Sequence, residues 1–271
     1  MVRSLWTAAT GMIAQQVNLD TIANNLSNVN TTGYKTQVNE FKSLLYQTLQ
    51  TRTTTANGDA KPGSAQVGLG VRNSAITSVF TTGSMLASDK DTSFALDGNG
   101  FFAVRGADGN TYYTRNGNLQ FTLGTNGNML ANSEGLPVLD SAGRPIILGE
   151  EYILSQVKVS QDGEICYPDE LNNLQPIGIR IGVFQFNNPN GLERLASSLY
   201  AQSAASGQPI NEATNPNVER TKVIQGYLEG SNVQVADEMV NMIVAQRAYE
   251  LNSKAIQASD EMLQQANNLR R

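Results

Sequence analysis

The side chains best placed to do chemistry in this sequence are carboxylates. Glu150-Glu151, the Asp162 and Glu164 that flank Gly163, and the Asp89/Asp91 pair are the groups a glycosidase or a calcium loop would draw on. Successive residues of a strand face opposite ways, so Glu150 and Glu151 do not converge. Asp162 and Glu164 read as turn groups, and Asp89 and Asp91 lack the remaining oxygen spacing of a calcium site. The chain has no His, which removes the commonest general base and metal ligand. Its one cysteine, Cys166, allows neither an intrachain disulfide nor a Cys-based zinc site and reads as a half-buried strand residue. No Gly-x-Ser-x-Gly elbow is present. Gly98-Asn99-Gly100 opens like a phosphate loop, but Ala103 stands where a third Gly is needed, and Gly68-Leu69-Gly70 fails likewise. Both read as turns. The expectation is a chain with no catalytic residue, no metal and no cofactor.

What the residues do specify is architecture. Of 271 residues, 40% are apolar and only 16% charged, with a net charge of −5, so a core is affordable and no basic stripe exists for nucleic acid. No run of 18 apolar residues is long enough to cross a bilayer. Ser4 to Ala14 imitates a signal peptide, but its apolar pattern runs on past any cleavage point, so no cleaved signal is expected.

Both ends carry seven-residue periods. Leu5, Met12, Leu19 and Leu26 form one row, and Ala8, Gln15, Ile22 and Val29 a second, before Gly33 stops the pattern. Residues 3 to about 31 therefore read as one helix. At the other end Val235, Met242, Tyr249, Ile256 and Leu263 repeat every seven. A second stripe runs through Val244, Ala248, Leu251, Ala255, Ala258 and Met262, and Met239 adds to the apolar face. Ser231 or Asn232 is placed to cap this helix, with Asp237 and Glu238 at the positive end of its dipole. Trp6, the only Trp, reads as an interface anchor and Lys35 as a partner of the first helix dipole.

The middle has hairpin chemistry: Asp108-Gly109, Asn116-Gly117, Asn126-Gly127, Glu134-Gly135, Ala142-Gly143 and Asp162-Gly163 punctuate short alternating or aromatic runs. The fold expected is α+β: long, coiled-coil-like paired terminal helices (1–35 and 230–271), an extended contact segment (36–65) and a central antiparallel β domain (66–229). Residues 48–65 are Thr-rich and aperiodic. Two helices packed together cover one side of so wide a stripe, so the termini are expected to be fully ordered only against further copies. The alternative is that both helices pack on the β domain of their own chain.

These segments carry a resemblance. Ser4-Leu5-Trp6-Thr7-Ala8-Ala9-Thr10-Gly11-Met12, then Leu19 to Lys35 with Asn24, Asn25, Asn28 and Gly33, resembles the N-terminal signature of bacterial flagellar rod and hook proteins. Gln225 to Val233, Met239-Val240-Asn241-Met242-Ile243, Gln246-Arg247-Ala248-Tyr249-Glu250 and Asn252-Ser253-Lys254-Ala255 are similar to that family's closing helix. Asp97-Gly98-Asn99-Gly100-Phe101-Phe102 and Tyr113-Thr114-Arg115-Asn116-Gly117 resemble its β-domain motif. The length, Val67 to Val71 and the Ser-Asn-Val ending look most like distal rod members, with proximal rod or hook members as the alternative. Gly230 departs from the Ala expected there. Outside the family, the competing reading is a secreted β-domain enzyme or binder acting on cell wall.

The resemblance implies a self-assembling tube subunit of the flagellar basal body. It implies export through the flagellar type III apparatus without a cleaved signal, and a place outside the cytoplasm. Its implied partners are further copies, the neighbouring proximal rod and hook proteins, and P- and L-ring bushings where an outer membrane exists. The residues then assigned to assembly are Leu5, Trp6, Met12, Leu19, Ile22, Leu26 and Val29 on the first helix. On the last helix they are Val235, Met239, Met242, Val244, Tyr249, Leu251, Ile256, Met262 and Leu263.

Overall fold

The computed structural model describes residues 2–50, 65–124, 127–149, 151–169 and 173–268. They form two compact units, one made of the described residues within 2–27, 37–77 and 234–268, the other of those within 28–36 and 78–233. The class is α+β, with two long helices and antiparallel strand pairs.

The first unit holds α1 (Val2–Ser27) and α2 (Val235–Asn268). The two helices lie against each other. Ser4 Oγ is 3.3 Å from Ser259 Oγ, and Gly11 faces the Asn252 side chain, so the helices run antiparallel. Strands β1 (Gln37–Ser43), β2 (Tyr46–Gln50), β3 (Ala65–Gly68) and β4 (Val71–Ser78) complete the unit. β1 pairs with β4, and β2 pairs antiparallel with β3 from Tyr46↔Gly68 onward. The ends of the Thr-rich segment are thus a ribbon, formed where Tyr46 to Gln50 and Ala65 to Gly68 can exchange backbone bonds. Residues 51–64 lie outside the described residues. Asn25 docks β1 on α1: its amide donates to Gln37 O at 2.8 Å and accepts from Gln37 N at 2.9 Å.

Helix α1 ends four residues before the expected stop. Asn28 O accepts the Thr31 amide, and Asn28 Oδ1 accepts the Thr31 hydroxyl at 3.0 Å. This local side-chain bonding offers the backbone a turn in place of another helical one. Val29 therefore lies beyond the helix, in the stretch that folds with the second unit.

The second unit is all β. It contains β5 (Met85–Ala87), β6 (Phe94–Asp97), β7 (Phe101–Arg105), β8 (Thr111–Thr114), β9 (Leu119–Gly124), β10 (Gly127–Asn132) and further short strands up to 227–229. A six-stranded sheet centres on β7 and β8. Both faces of β7 are covered: Phe102 and Val104 enter one apolar cluster with Leu96, Leu119 and Leu130, while Phe101 and Ala103 enter another with Tyr113, Phe186 and Tyr200. Alternation along one strand thus divides the core in two. Gly109, Gly135, Gly143 and Gly163, read as turn glycines, all have φ near +80° and sit at connections between strands or bridges. Asn126 and Glu150 fall outside the described residues.

Candidate functional site

Three stretches of sequence converge inside the second unit: 32–35, 113–117 and 229–232. At their meeting point Glu229 is fully buried. Lys35 Nζ donates to Glu229 Oε1 at 2.6 Å and to Thr81 O at 2.7 Å. The Gly83 amide donates to the same Oε1 at 3.0 Å. Arg115 Nη1 lies 3.4 Å from Glu229 Oε2, and Nη2 donates to Gly98 O at 2.6 Å. The guanidinium stacks over Phe101, 5.1 Å from the ring centroid. No side-chain surface of the three charged residues reaches solvent.

Two cations thus share one carboxylate in a dry place. Burial holds the Lys35 ammonium below its ordinary pKa, with the Glu229 charge pulling the other way and Arg115 adding to the depression. Burial likewise lowers Arg115, again opposed by Glu229. Such a cluster is tolerable only while complete, because removal of the carboxylate strands two desolvated charges.

The motif glycines make this meeting possible. Gly33 has φ +70°, and a Cβ on it would lie 2.7 Å from Arg115 C and Asn116 N. Its amide donates to Glu229 O at 2.8 Å, while the Thr32 hydroxyl donates to Asn116 Oδ1 at 2.9 Å. Gly98 and Gly100 line the far side: a Cβ on Gly100 would meet Glu212 Oε1 and Thr221 Oγ1, each at 2.7 Å. The Gly100 amide donates to Thr221 Oγ1 at 2.9 Å. Asn232 closes the near side. Its Oδ1 accepts the Thr36 amide and hydroxyl at 2.7 and 2.8 Å, and its Nδ2 donates to Val79 O at 2.8 Å.

Two residues therefore take roles other than those expected from sequence. Lys35 lies eight positions past the end of α1 and answers Glu229, so it serves no helix dipole. Asn232 spends its amide on Thr36 and Val79 and so does not cap α2. Arg115 and Glu229 were missed as a pair. The available signal was three charged residues inside uncharged motif stretches of a charge-poor chain, which marks burial with a partner.

The helices present a different surface. On α1, Ile22 is buried, Leu5, Met12, Leu19 and Leu26 are half-buried, and Trp6 is 68% exposed. On α2, the buried residues are Glu238, Ala245 and Ser259, none of them a large apolar side chain. Met242, Ile256 and Leu263 are half-buried, whereas Val235, Met239, Val244, Tyr249, Leu251 and Met262 are exposed. The row that turns inward, Glu238, Ala245, Asn252 and Ser259, is polar or small. The more apolar second stripe stays outside. Among the other motif residues, Asn25 is buried at Gln37, Asn24, Gln246 and Arg247 are exposed, and Arg247 pairs with Glu250 at 2.8 Å.

Three of the carboxylates considered for catalysis lie in surface ion pairs. Asp91 faces Lys158 at 3.2 Å, Glu164 faces Arg180 at 3.1 Å, and Asp162 is 3.9 Å from Arg220. Cys166 is half-buried on a strand, and burial pushes its thiol pKa up, away from reactivity. Among the described residues no helix is long and apolar enough to cross a membrane.

Comparison with known proteins finds relatives along the chain. Residues 5–35 match the family described as flagella basal body rod protein, residues 95–167 the flagellar hook protein FlgE/F/G D1 domain, and residues 224–269 the flagellar basal body rod FlgEFG protein C-terminal family. The chain is 45% identical to the flagellar basal-body rod protein FlgG of Borreliella burgdorferi over the whole of both chains. It is 36% identical to FlgG of Bacillus subtilis, again over the whole of both. It is 32% identical to the flagellar hook-basal body complex protein FlhP of the same organism, also end to end. With a polar junction that fastens its motif segments, an apolar helix stripe left open and full-length relatives of this kind, the chain belongs to the flagellar basal-body rod protein family.

Proposed function

We propose that this chain is a structural subunit of the distal rod, adding helically to copies of itself to make a stiff hollow shaft. The observation that carries the reading is the open apolar face of α2. Val240, Ile243, Val244 and Leu251 are each at least 56% exposed, and on α1 Trp6 and Ile13 are at least 63% exposed. A contiguous apolar stripe is costly in water and marks a contact surface. In the assembled shaft the antiparallel helices form the coiled-coil-like inner wall, with these side chains buried between copies, and the β unit forms the outer wall. Leu5, Met12, Leu19, Ile22 and Leu26 on α1, with Met242, Ile256 and Leu263 on α2, hold each pair together while the outward stripes join neighbours. The shaft transmits torque and conducts later subunits. Its subunits leave through the flagellar type III apparatus without a cleaved signal, sit outside the cytoplasm and abut proximal rod and hook proteins. Ring bushings surround the shaft where an outer membrane exists. Residues 48–65 stiffen it through contacts with neighbours.

Electron microscopy of the purified chain at rising concentration tests the proposal. Straight, stiff tubes are expected, and removal of residues 233–271 abolishes them. A chain that stays monomeric at every concentration, or a truncated chain that still polymerises, overturns it.

A further inference from the structure

The α1–α2 seam poses a problem of register. The row of α2 that faces α1 repeats every seven residues as Glu238, Ala245, Asn252 and Ser259, and Ser4 and Gly11 lie seven apart on α1. A repeat of this kind can slip by one heptad, about 10.5 Å along the axis. Something must select the observed alignment. We infer that Asn252 seated against Gly11 is the register key of the helix pair, a positioning residue that decides which parts of the two outward stripes stand level.

The geometry is specific. Gly11 leaves a gap in the α1 surface, and the Asn252 carboxamide occupies it: a Cβ built on Gly11 would lie 2.8 Å from Asn252 Nδ2 and 3.2 Å from Asn252 Cγ. One turn pair away, Ser4 Oγ meets Ser259 Oγ at 3.3 Å, and Ser259 Oγ also donates to Ala255 O at 2.8 Å. Both contacts satisfy the same rule: the two residue numbers sum to 263. A slip by seven in one direction puts Asn252 opposite Asn18, where a side chain already fills the space. A slip the other way puts Ala245 opposite Gly11 and leaves the gap empty. One polar residue on a helix seam is the established way to fix alignment at some cost in stability, and here shape adds to polarity.

The inference deepens the proposed function, because the outward stripes are contributed by both helices. It is tested on the isolated chain, so it can fail without the assembly reading failing. In a Cys166→Ser background, Ser4→Cys/Ser259→Cys reports the observed register, and Asn18→Cys/Glu238→Cys reports the one-heptad slip that sets Ala245 opposite Gly11, since a disulfide needs Cβ atoms within about 4.5 Å. Oxidation at high dilution, read by gel mobility of the monomer, gives the two yields. The parent chain is expected to form the first crosslink at least about tenfold over the second, a ratio near 1.4 kcal/mol of preference. Asn252→Leu, close in size but apolar, is expected to bring the two yields within about threefold. Gly11→Leu, which fills the gap, is expected to favour the slipped crosslink. Asn252→Leu raises helix propensity, so it remains decisive if Gly11→Leu loses helicity. Retention of the parent ratio in Asn252→Leu overturns the inference, as does absence of the first crosslink in the parent chain. Sedimentation of the same variants reads assembly separately.

Discussion

The β unit and the helical unit handle their side chains in opposite ways. In the β unit a core is finished within one chain: Phe101, Phe102, Leu96 and Leu119 have no exposed surface, and even a three-charge cluster is fully enclosed, although Leu123 on the rim is 89% exposed. In the helical unit a 34-residue helix buries Glu238, Ala245 and Ser259 and leaves Val244 62% and Leu251 66% exposed. Hydrophobic burial is the dominant favourable term in folding, so the β unit supplies its own stability and α2 does not. On the proposed reading, the difference teaches that one region is complete before assembly and the other is completed by it.

The sharpest way to break that contrast is to open the junction. Glu229→Ala leaves Lys35 and Arg115 buried without their carboxylate, and a loss of about 3–5 kcal/mol is expected. Urea unfolding followed by near-ultraviolet circular dichroism measures it. Adding Lys35→Met to Glu229→Ala removes one stranded cation, and part of the loss should return. If Glu229→Ala unfolds at the wild-type midpoint, the β unit does not depend on its enclosed charges.

Alkali offers a second, smaller lever. Burial pushes the Tyr200 phenol up to about 12. In the unfolded chain a tyrosine ionises near 10. Between those values only the unfolded chain sheds the proton, so stability, intact below pH about 10, falls by about 1.4 kcal/mol per pH unit from this residue. Tyr113, also pushed up to about 12 by burial, acts in the same direction. Tyr200→Phe should flatten the fall measured by urea unfolding at pH 9.5 to 11.5. An unchanged slope would detach the alkaline transition from the core of the β unit.

Much of this contrast was legible in the residues, but unevenly. The turn glycines and the alternating Phe101-Phe102-Ala103-Val104 run act through local geometry, and local geometry is what a sequence displays. Both terminal helices were visible in their seven-residue rows. What stayed hidden depends on pairing between distant positions. Glu229 is 194 residues from Lys35 and 114 from Arg115, and no spacing rule connects them. The inward row of α2 was hidden for a different reason. Hydrophobicity selects the most apolar stripe as the buried one, and that rule holds for a helix finished within its own chain. Here the polar Asn252 row meets α1 because close approach needs small side chains, and the apolar stripe faces out. The short end of α1 shows a third cause, a local Asn28–Thr31 bond outweighing an apolar period that runs on to Val29.

A stabilising change probes the β unit from the other side. Ser197 and Ser198 both have positive φ, 62° and 58°, in the tight turn closed by the Leu199 amide on Ala196 O at 3.2 Å. Two successive left-handed residues are a backbone that Gly and Asn adopt far more readily than Ser. Ser198→Gly relieves one left-handed residue and should add about 0.5–1 kcal/mol, set against the greater freedom glycine gives the unfolded chain. A midpoint below wild type would mean that the Ser198 side chain contributes more than its backbone costs.

The smallest expected effect on the monomer carries the most weight for the contrast. Leu251 is 66% exposed on α2, so Leu251→Asp removes little that a single chain has buried, and its unfolding free energy should move by less than about 0.5 kcal/mol. In a polymer the same carboxylate would recur in every copy within a surface that neighbours cover, at a cost of several kcal/mol each. Assembly should therefore be lost while the monomer's unfolding midpoint is kept, a separation that no core substitution in the β unit can reproduce. If Leu251→Asp instead destabilised the monomer by as much as a core cavity, about 2–5 kcal/mol, the stripe would already be covered within one chain. Helical and β units would then no longer differ in kind.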